Sequence, residues 1–265
     1  MSSPLEITRE GAVARLTLAR SQVHNAFDDD LVARLTAALR ELDADPGIRA
    51  AVLTGNGSTF SAGADLHWMR TMATASEAEN EADALRLATL MRVLDEFTKP
   101  TLARVNGSAY GGGVGLIACC DIAIGVPTAK FALSEVRLGL APAVISPYVV
   151  AAIGPRQARR LFLSGEVIDA AEAQRIGLLH TVVPADELDD ACARQLHWLA
   201  KGGPQAQAAC KSLLRRLRHA ALDATGQDAA NAALIARLCV SPEGREGMQA
   251  FLDKRPPRWI GGDGA

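Results

Sequence analysis

The order of apolar and polar positions divides the chain into a strand-rich first half and a helical second half. Leu5-Glu6-Ile7-Thr8-Arg9 and Val13-Ala14-Arg15-Leu16-Thr17-Leu18 alternate in polarity around Gly11, which predicts a β-hairpin. After a loop over 21–27, Asp28-Asp29-Asp30 offers an N-cap and an acidic first turn. The helix they open has apolar positions at Leu31, Leu35, Leu39 and Leu42. Asp45-Pro46-Gly47 ends it, and Ala50-Ala51-Val52-Leu53-Thr54 reads as a short buried strand. Residues 76–97 predict a long amphipathic helix with Leu85, Leu87, Leu90, Met91 and Leu94 on its apolar face. Strands are expected over 101–105, 121–126 and 131–133, with a buried helix over 117–121. From Pro147 onward helical signals dominate, broken at Pro184, Gly202-Gly203-Pro204 and Ser241-Pro242. The recurrent strand, turn and helix of the first 130 residues predict an α/β fold. A helical tail from about residue 201 is expected to form its own layer, closing a site or packing on another subunit.

Two turns stand out against this pattern. Asn106-Gly107-Ser108-Ala109-Tyr110-Gly111-Gly112-Gly113 links a strand to a helix, and Phe60-Ser61-Ala62-Gly63-Ala64-Asp65-Leu66 does the same earlier in the chain. A helix N-terminus leaves backbone N–H groups free to receive negative charge, and glycine lets a ligand approach them closely. Paired turns of this kind suit an oxyanion that develops on a carbonyl. They equally suit close packing, and spacing alone does not choose. Gly113-Val114-Gly115-Leu116-Ile117-Ala118 also fits the dinucleotide pattern, with Glu135 near the position of a ribose-binding acid. That pattern belongs in a first βαβ unit, however, and here it falls mid-chain with Asp121 close behind it. No phosphate-binding Gly-Lys-Ser/Thr and no G-x-S-x-G occurs, so Ser61 and Ser108 read as turn residues rather than nucleophiles.

Composition narrows the picture. The formal net charge is −2, which gives no field directed at nucleic acid or acidic membranes. Five cysteines, two of them adjacent at 119 and 120, do not form a disulfide framework, and no Cys/His spacing resembles a zinc site. No leader pattern and no membrane-spanning run is found, so a cytoplasmic protein without metal is expected.

The two turns, together with Ser134-Glu135-Val136-Arg137-Leu138-Gly139-Leu140 and the tail Phe251-Leu252-Asp253-Lys254-Arg255-Pro256-Pro257, resemble the crotonase (enoyl-CoA hydratase/isomerase) superfamily in order and spacing over essentially the whole chain. The resemblance implies an α/β, crotonase-like spiral of ββα units over 1–200 and a C-terminal helical trimerisation region over 201–265. It implies a homotrimer or dimer of trimers acting on acyl-CoA thioesters, with coenzyme A as part of the substrate and no other cofactor. The oxyanion hole would be the N–H groups of Ala64 and Gly112, and Glu135 the catalytic carboxylate. Val23, His24, Ala62, Asp65, Leu66 and Gly111 match the positions that lie along the CoA thioester, and Phe251 and Lys254 match the tail that reaches it.

Two departures are visible. Hydratases of the family usually carry a second glutamate three residues after the oxyanion glycine, and Gly115 stands there; Ala141-Pro142-Ala143-Val144-Ile145-Ser146-Pro147 replaces a common glycine-rich run. With Ala64-Asp65-Leu66-His67-Trp68-Met69, these departures resemble a bacterial subgroup of 3-methylglutaconyl-CoA hydratases of leucine breakdown. A double-bond isomerase using one glutamate as proton shuttle is the alternative, and a non-catalytic acyl-CoA-binding protein a third reading. Arg70, Arg137, His67 and the basic run 215–219 are possible cationic partners of substrate, although each also reads as an ordinary surface residue.

Overall fold

The computed structural model of the chain describes residues 3–218 and 223–260. The expected hairpin is present: β1 (Leu5–Glu10) pairs antiparallel with β2 (Val13–Leu18), Leu5 opposite Leu18 and Glu10 opposite Val13. Asp28 caps α1 (Asp29–Ala44) by accepting from the Leu31 N–H, and Leu31, Leu35, Leu39 and Leu42 are all buried. The all-buried β3 (Ala50–Gly55) follows, then β4 (Thr59–Ser61), α2 (Leu66–Thr74) and α3 (Glu77–Asp95). Ser76 and Glu79 close a reciprocal capping box on α3. Only Leu90, Met91 and Leu94 of that helix are buried, while Leu87 is half-buried. Leu85, expected inward, is exposed, because the first half of α3 extends beyond the core.

Next come β5 (Thr101–Val105), β6 (Ser108–Tyr110), α4 (Gly112–Cys119), β7 (Ile122–Gly125) and β8 (Lys130–Ala132). The buried helix expected through residue 121 stops at Cys119, since Cys120 is extended. The Asp121 carboxylate turns back to accept from the Thr101 N–H and hydroxyl, at 2.7 and 2.8 Å. A single helical turn over Ser134–Leu138 leads to α5 (Ser146–Ser164), kinked at Gly154-Pro155. The remaining elements are β9 (Ile168–Asp169), α6 (Ala170–Arg175), β10 (Thr181–Val182), α7 (Leu188–Ala200), α8 (Pro204–Arg218), α9 (Ala224–Val240) and α10 (Pro242–Leu252).

From β3 to β8, successive strands alternate between two sheets. One has the order β1-β2-β3-β5-β7-β10, parallel from β2 onward, and the other β4-β6-β8-β9. Each repeating unit gives one strand to the large sheet, one to the small sheet, and then a helix. This is the expected spiral, and its core runs through Leu16, Leu35, Phe60, Leu90, Leu102, Leu116 and Phe131. All five cysteine thiols are free.

The C-terminal helices differ in character. Helix α8 is fastened to the core by Lys211, whose ammonium lies 2.5 Å from the Asp121 carboxylate and 3.0 Å from the Lys99 carbonyl. Helix α9 has no buried residue and α10 only Ala250. Within the basic run, Arg216 donates to Asn231, and Arg215 and Arg218 donate to Asp95, so the described members serve packing; His219 lies outside the described residues. Replacing Lys211 by Ala leaves a partly buried carboxylate without its cation, and is expected to lower stability by about 2–4 kcal/mol in a denaturant titration.

Candidate active site

The small sheet sets the site. Strands β4 and β6 run parallel with Thr59 opposite Ser108 and Ser61 next to Ala109, and β6 and β8 run parallel with Tyr110 opposite Ala132. Parallel neighbours release their chains at the same edge. The segments Ala62-Gly63-Ala64, Gly111-Gly112 and Leu133-Ser134-Glu135 therefore emerge side by side, and the Gly111 N–H continues the ladder to the Ala132 carbonyl at 3.0 Å. Gly63 and Gly111 turn the chain with φ of 83° and 48°. A side chain at Gly63 would begin 2.8 Å from the Tyr110 carbonyl and 3.7 Å from the Gly112 nitrogen. At Gly111 it would begin 3.0 Å from Glu135 Oε1. These glycines let three backbones and one carboxylate meet, as the sequence pattern required.

Ala64 forms a parallel bridge with Phe27. The Phe27 N–H donates to the Gly63 carbonyl at 2.7 Å, and the Asp65 N–H to the Phe27 carbonyl at 2.9 Å. Both neighbours of Ala64 are thus pinned to one side, which turns its own N–H to the other. Gly112 is the first residue of α4, so its N–H has no partner within the helix. Ala64 is exposed and Gly112 half-buried, so an incoming oxygen can reach both. Two fixed donors, one of them at the N-terminus of α4, are suited to charge developing on a carbonyl oxygen.

Glu135 is half-buried beside them. Its Oε2 has no hydrogen-bond partner among the described residues, and burial pushes its pKa above the ordinary 4.5. A folded carboxyl that holds its proton more tightly than the unfolded one loses stability as pH rises from 4.5 through the folded value. The unsatisfied oxygen is the kind of cost found where a group serves chemistry rather than packing.

Gly115 lies against the buried side chains of Ile145 and Met91. A side chain there would begin 2.3 Å from Ile145 Cγ2 and 3.3 Å from Met91 Cε. The two departures seen in the sequence are therefore one feature: Ile145 occupies the room that a residue larger than glycine at 115 would need. A side chain at Gly113 would likewise begin 2.8 Å from the Ser61 carbonyl, so the dinucleotide-like glycines serve close packing.

Of the positions matched to coenzyme A, Val23, His24 and Ala62 are brought together, with the Ala62 N–H donating to the His24 carbonyl at 2.9 Å. Val23 and His24 are exposed, and the His24 ring meets the Thr59 hydroxyl at 3.1 Å. Leu66 is exposed at the start of α2. The Asp65 carboxylate is buried and occupied: one oxygen accepts from the His67 N–H at 2.7 Å and the other from Arg20 at 3.0 Å. Burial alone would raise its pKa, but the His67 N–H and Arg20 outweigh burial and hold it below 3.8. Phe251, in the last turn of α10, is exposed, and Lys254 follows in a left-handed turn with φ of 55°. Arg70, His67 and Arg137 are exposed, and Arg137 lies against Gly165. Sequence reasoning missed Phe27 and Arg20, and it noted the run holding Ile145 without linking it to Gly115. Among the described residues no cluster of His, Cys, Asp or Glu is placed to hold a metal, and no helix is long and apolar enough to cross a membrane.

The family model for enoyl-CoA hydratase/isomerase matches residues 8–262. The 2,3-dehydroadipyl-CoA hydratase of Escherichia coli is 34% identical over 260 residues, covering 98% of this chain and 99% of its own. The solved enoyl-CoA hydratase of Shewanella pealeana superposes with a TM-score of 0.93 at 44% identity, covering 97% of this chain and 96% of that one. The enoyl-CoA hydratase/isomerase of Marinobacter aquaeolei gives 0.91 at 36%, covering 98% and 100%. The fold and the paired turns define a crotonase-type enzyme. The chain belongs to the enoyl-CoA hydratase/isomerase family and is an enoyl-CoA hydratase-type lyase.

Because Gly115 and Ile145 share one space, Gly115→Ala is expected to cost about 1–3 kcal/mol by overpacking and Ile145→Ala about 2–5 kcal/mol by cavity formation. The double variant should be more stable than the sum of those losses, read from denaturant midpoints.

Proposed function

We propose that this enzyme adds water across the α,β double bond of a carboxylated enoyl-CoA, 3-methylglutaconyl-CoA, in leucine breakdown. The convergence of the Ala64 and Gly112 N–H groups with Glu135 at the ends of β4, β6 and β8 carries the hydratase assignment. The substrate assignment is supported by the subgroup resemblance and by the name of the Escherichia coli relative, whose acyl group is also that of a dicarboxylic acid.

The thioester oxygen sits between the two N–H groups. As a water oxygen bonds to the β-carbon, Glu135 takes one of its protons and the carbonyl oxygen gains enolate character. The protonated Glu135 then gives that proton to the α-carbon, and the enolate collapses to the saturated thioester. One carboxylate acting for both transfers places oxygen and hydrogen on the same face. A pKa raised by burial suits a group that must both take and release the proton near neutral pH. Coenzyme A runs past Val23, His24, Ala62, Asp65, Leu66 and Gly111, with Asp65 contributing through its backbone because its carboxylate is occupied.

The tail from residue 201 presents Ile235, Val240, Met248, Phe251 and Leu252 to solvent. So much exposed apolar surface on two adjoining helices supports a homotrimer, or a dimer of trimers, in which Phe251 and Lys254 reach a bound CoA. A cytoplasmic setting accords with the free thiols.

Ile145 favours one second reading. It fills the place from which a second carboxylate would hold the water, and a lone carboxylate can instead move a proton between C2 and C4 of the enoyl chain, as in an isomerase.

Wild type is expected to hydrate 3-methylglutaconyl-CoA faster than crotonyl-CoA and to incorporate oxygen from heavy-oxygen water. Its kcat/KM should rise with pH through a limb centred above 4.5, the ordinary glutamate value. Glu135→Gln should lower kcat by roughly 10²–10⁴-fold and remove the limb. Double-bond migration without solvent oxygen would select the isomerase.

A further inference from the structure

We propose that Arg20 is a positioning residue for the oxyanion hole, acting through Phe27. The inference rests on the oxyanion assignment of Ala64 and Gly112. Phe27 touches both halves of that hole. Its backbone bonds to the residues on either side of Ala64, and its buried ring lies against Gly112, where an added side chain would begin 2.6 Å from Cε2. Moving Phe27 therefore changes the separation and aim of the two N–H groups.

Arg20 holds the chain on both sides of Phe27. One guanidinium nitrogen donates to the Ala26 carbonyl at 2.5 Å. The other lies 2.9 Å from the Asp28 carboxylate and 3.0 Å from the Asp65 carboxylate. Asp28 caps α1 and Asp65 caps α2, so one side chain binds both helix starts to the strand end that precedes the site. Only a planar fork reaches three acceptors in this way; a lysine ammonium is a point charge on a flexible stem.

The loop beneath is equally determined. Asn25, fully buried with φ of 55°, donates to the Asn56 and Thr59 carbonyls at 2.9 and 2.7 Å, and its side-chain oxygen accepts from the Arg20 N–H at 3.0 Å. Its own carbonyl accepts from the Ser61 hydroxyl, which in turn accepts from the Gly63 N–H. Residues 20–28 thus form a hydrogen-bonded cradle for the Ala64 turn, with Arg20 as the member that spans it.

The test uses cinnamoyl-CoA, a conjugated thioester whose absorption shifts to the red when its carbonyl is polarised. Wild type should shift the bound thioester, and Glu135→Gln should retain the shift. Arg20→Met should lose most of it, with kcat falling roughly 10–100-fold and KM changing less than about threefold, since one misaimed donor is lost from the transition state rather than the ground state. Arg20→Lys should restore part of both. If Arg20→Met does not fold, the lysine variant carries the test, with its thermal midpoint measured alongside. An unchanged shift and kcat in a folded variant, with only the thermal midpoint lowered, would overturn the positioning role. No red shift in wild type would overturn the oxyanion assignment itself, and the proposal with it.

Discussion

The parallel register of the small sheet is the constraint on which the rest depends. Strands of two or three residues contribute little pairing energy, yet β4, β6 and β8 determine where three chain segments leave the sheet. Their shared direction carries Ala64, Gly112 and Glu135 to one point, although 71 positions of sequence separate the first from the last. The energy that makes this reliable comes from elsewhere. The large sheet and the helices over it bury Leu16, Leu35, Leu90, Leu102 and Phe131, and the small sheet is held between. Hydrophobic burial provides the rigidity, and the short strands use it to aim backbone groups.

At the site the molecule gives up local stability. Glu135 keeps an oxygen without a partner among the described residues, two glycines sit at positive φ, and the Gly112 N–H, at the first position of α4, has no partner within its helix. Each is costly where packing alone matters. The same neighbourhood shows the opposite strategy at Asp65, Asn25 and Ser61, whose polar atoms are paired inside the protein. The groups that hold the backbone are satisfied, in contrast to the open oxygen of Glu135.

Much of this was legible in the sequence, and the failures have physical causes. Local periodicity announced the β1-β2 hairpin and α1, because each is decided by neighbours within a few residues. Strands β6, β9 and β10 escaped, since two or three residues show no alternation. Leu85 misled because an apolar residue at helical spacing does not tell where the core ends. The glycine turns were visible in the spacing, and the catalytic expectation for Glu135 came from the family resemblance. Arg20 was not legible, because its partner Asp65 lies 45 residues away and nothing local to either announces the pair. Gly115 and the run holding Ile145 were both visible as departures; that one fills the space above the other needed the fold.

The most direct measurement is a crystal structure of the enzyme with acetoacetyl-CoA bound. The account predicts the thioester oxygen at roughly 2.7–3.1 Å from both the Ala64 and Gly112 nitrogens. It also predicts the Glu135 carboxylate facing the carbons next to the carbonyl. A thioester oxygen bound to neither nitrogen, or an acyl chain directed away from Glu135, would contradict it.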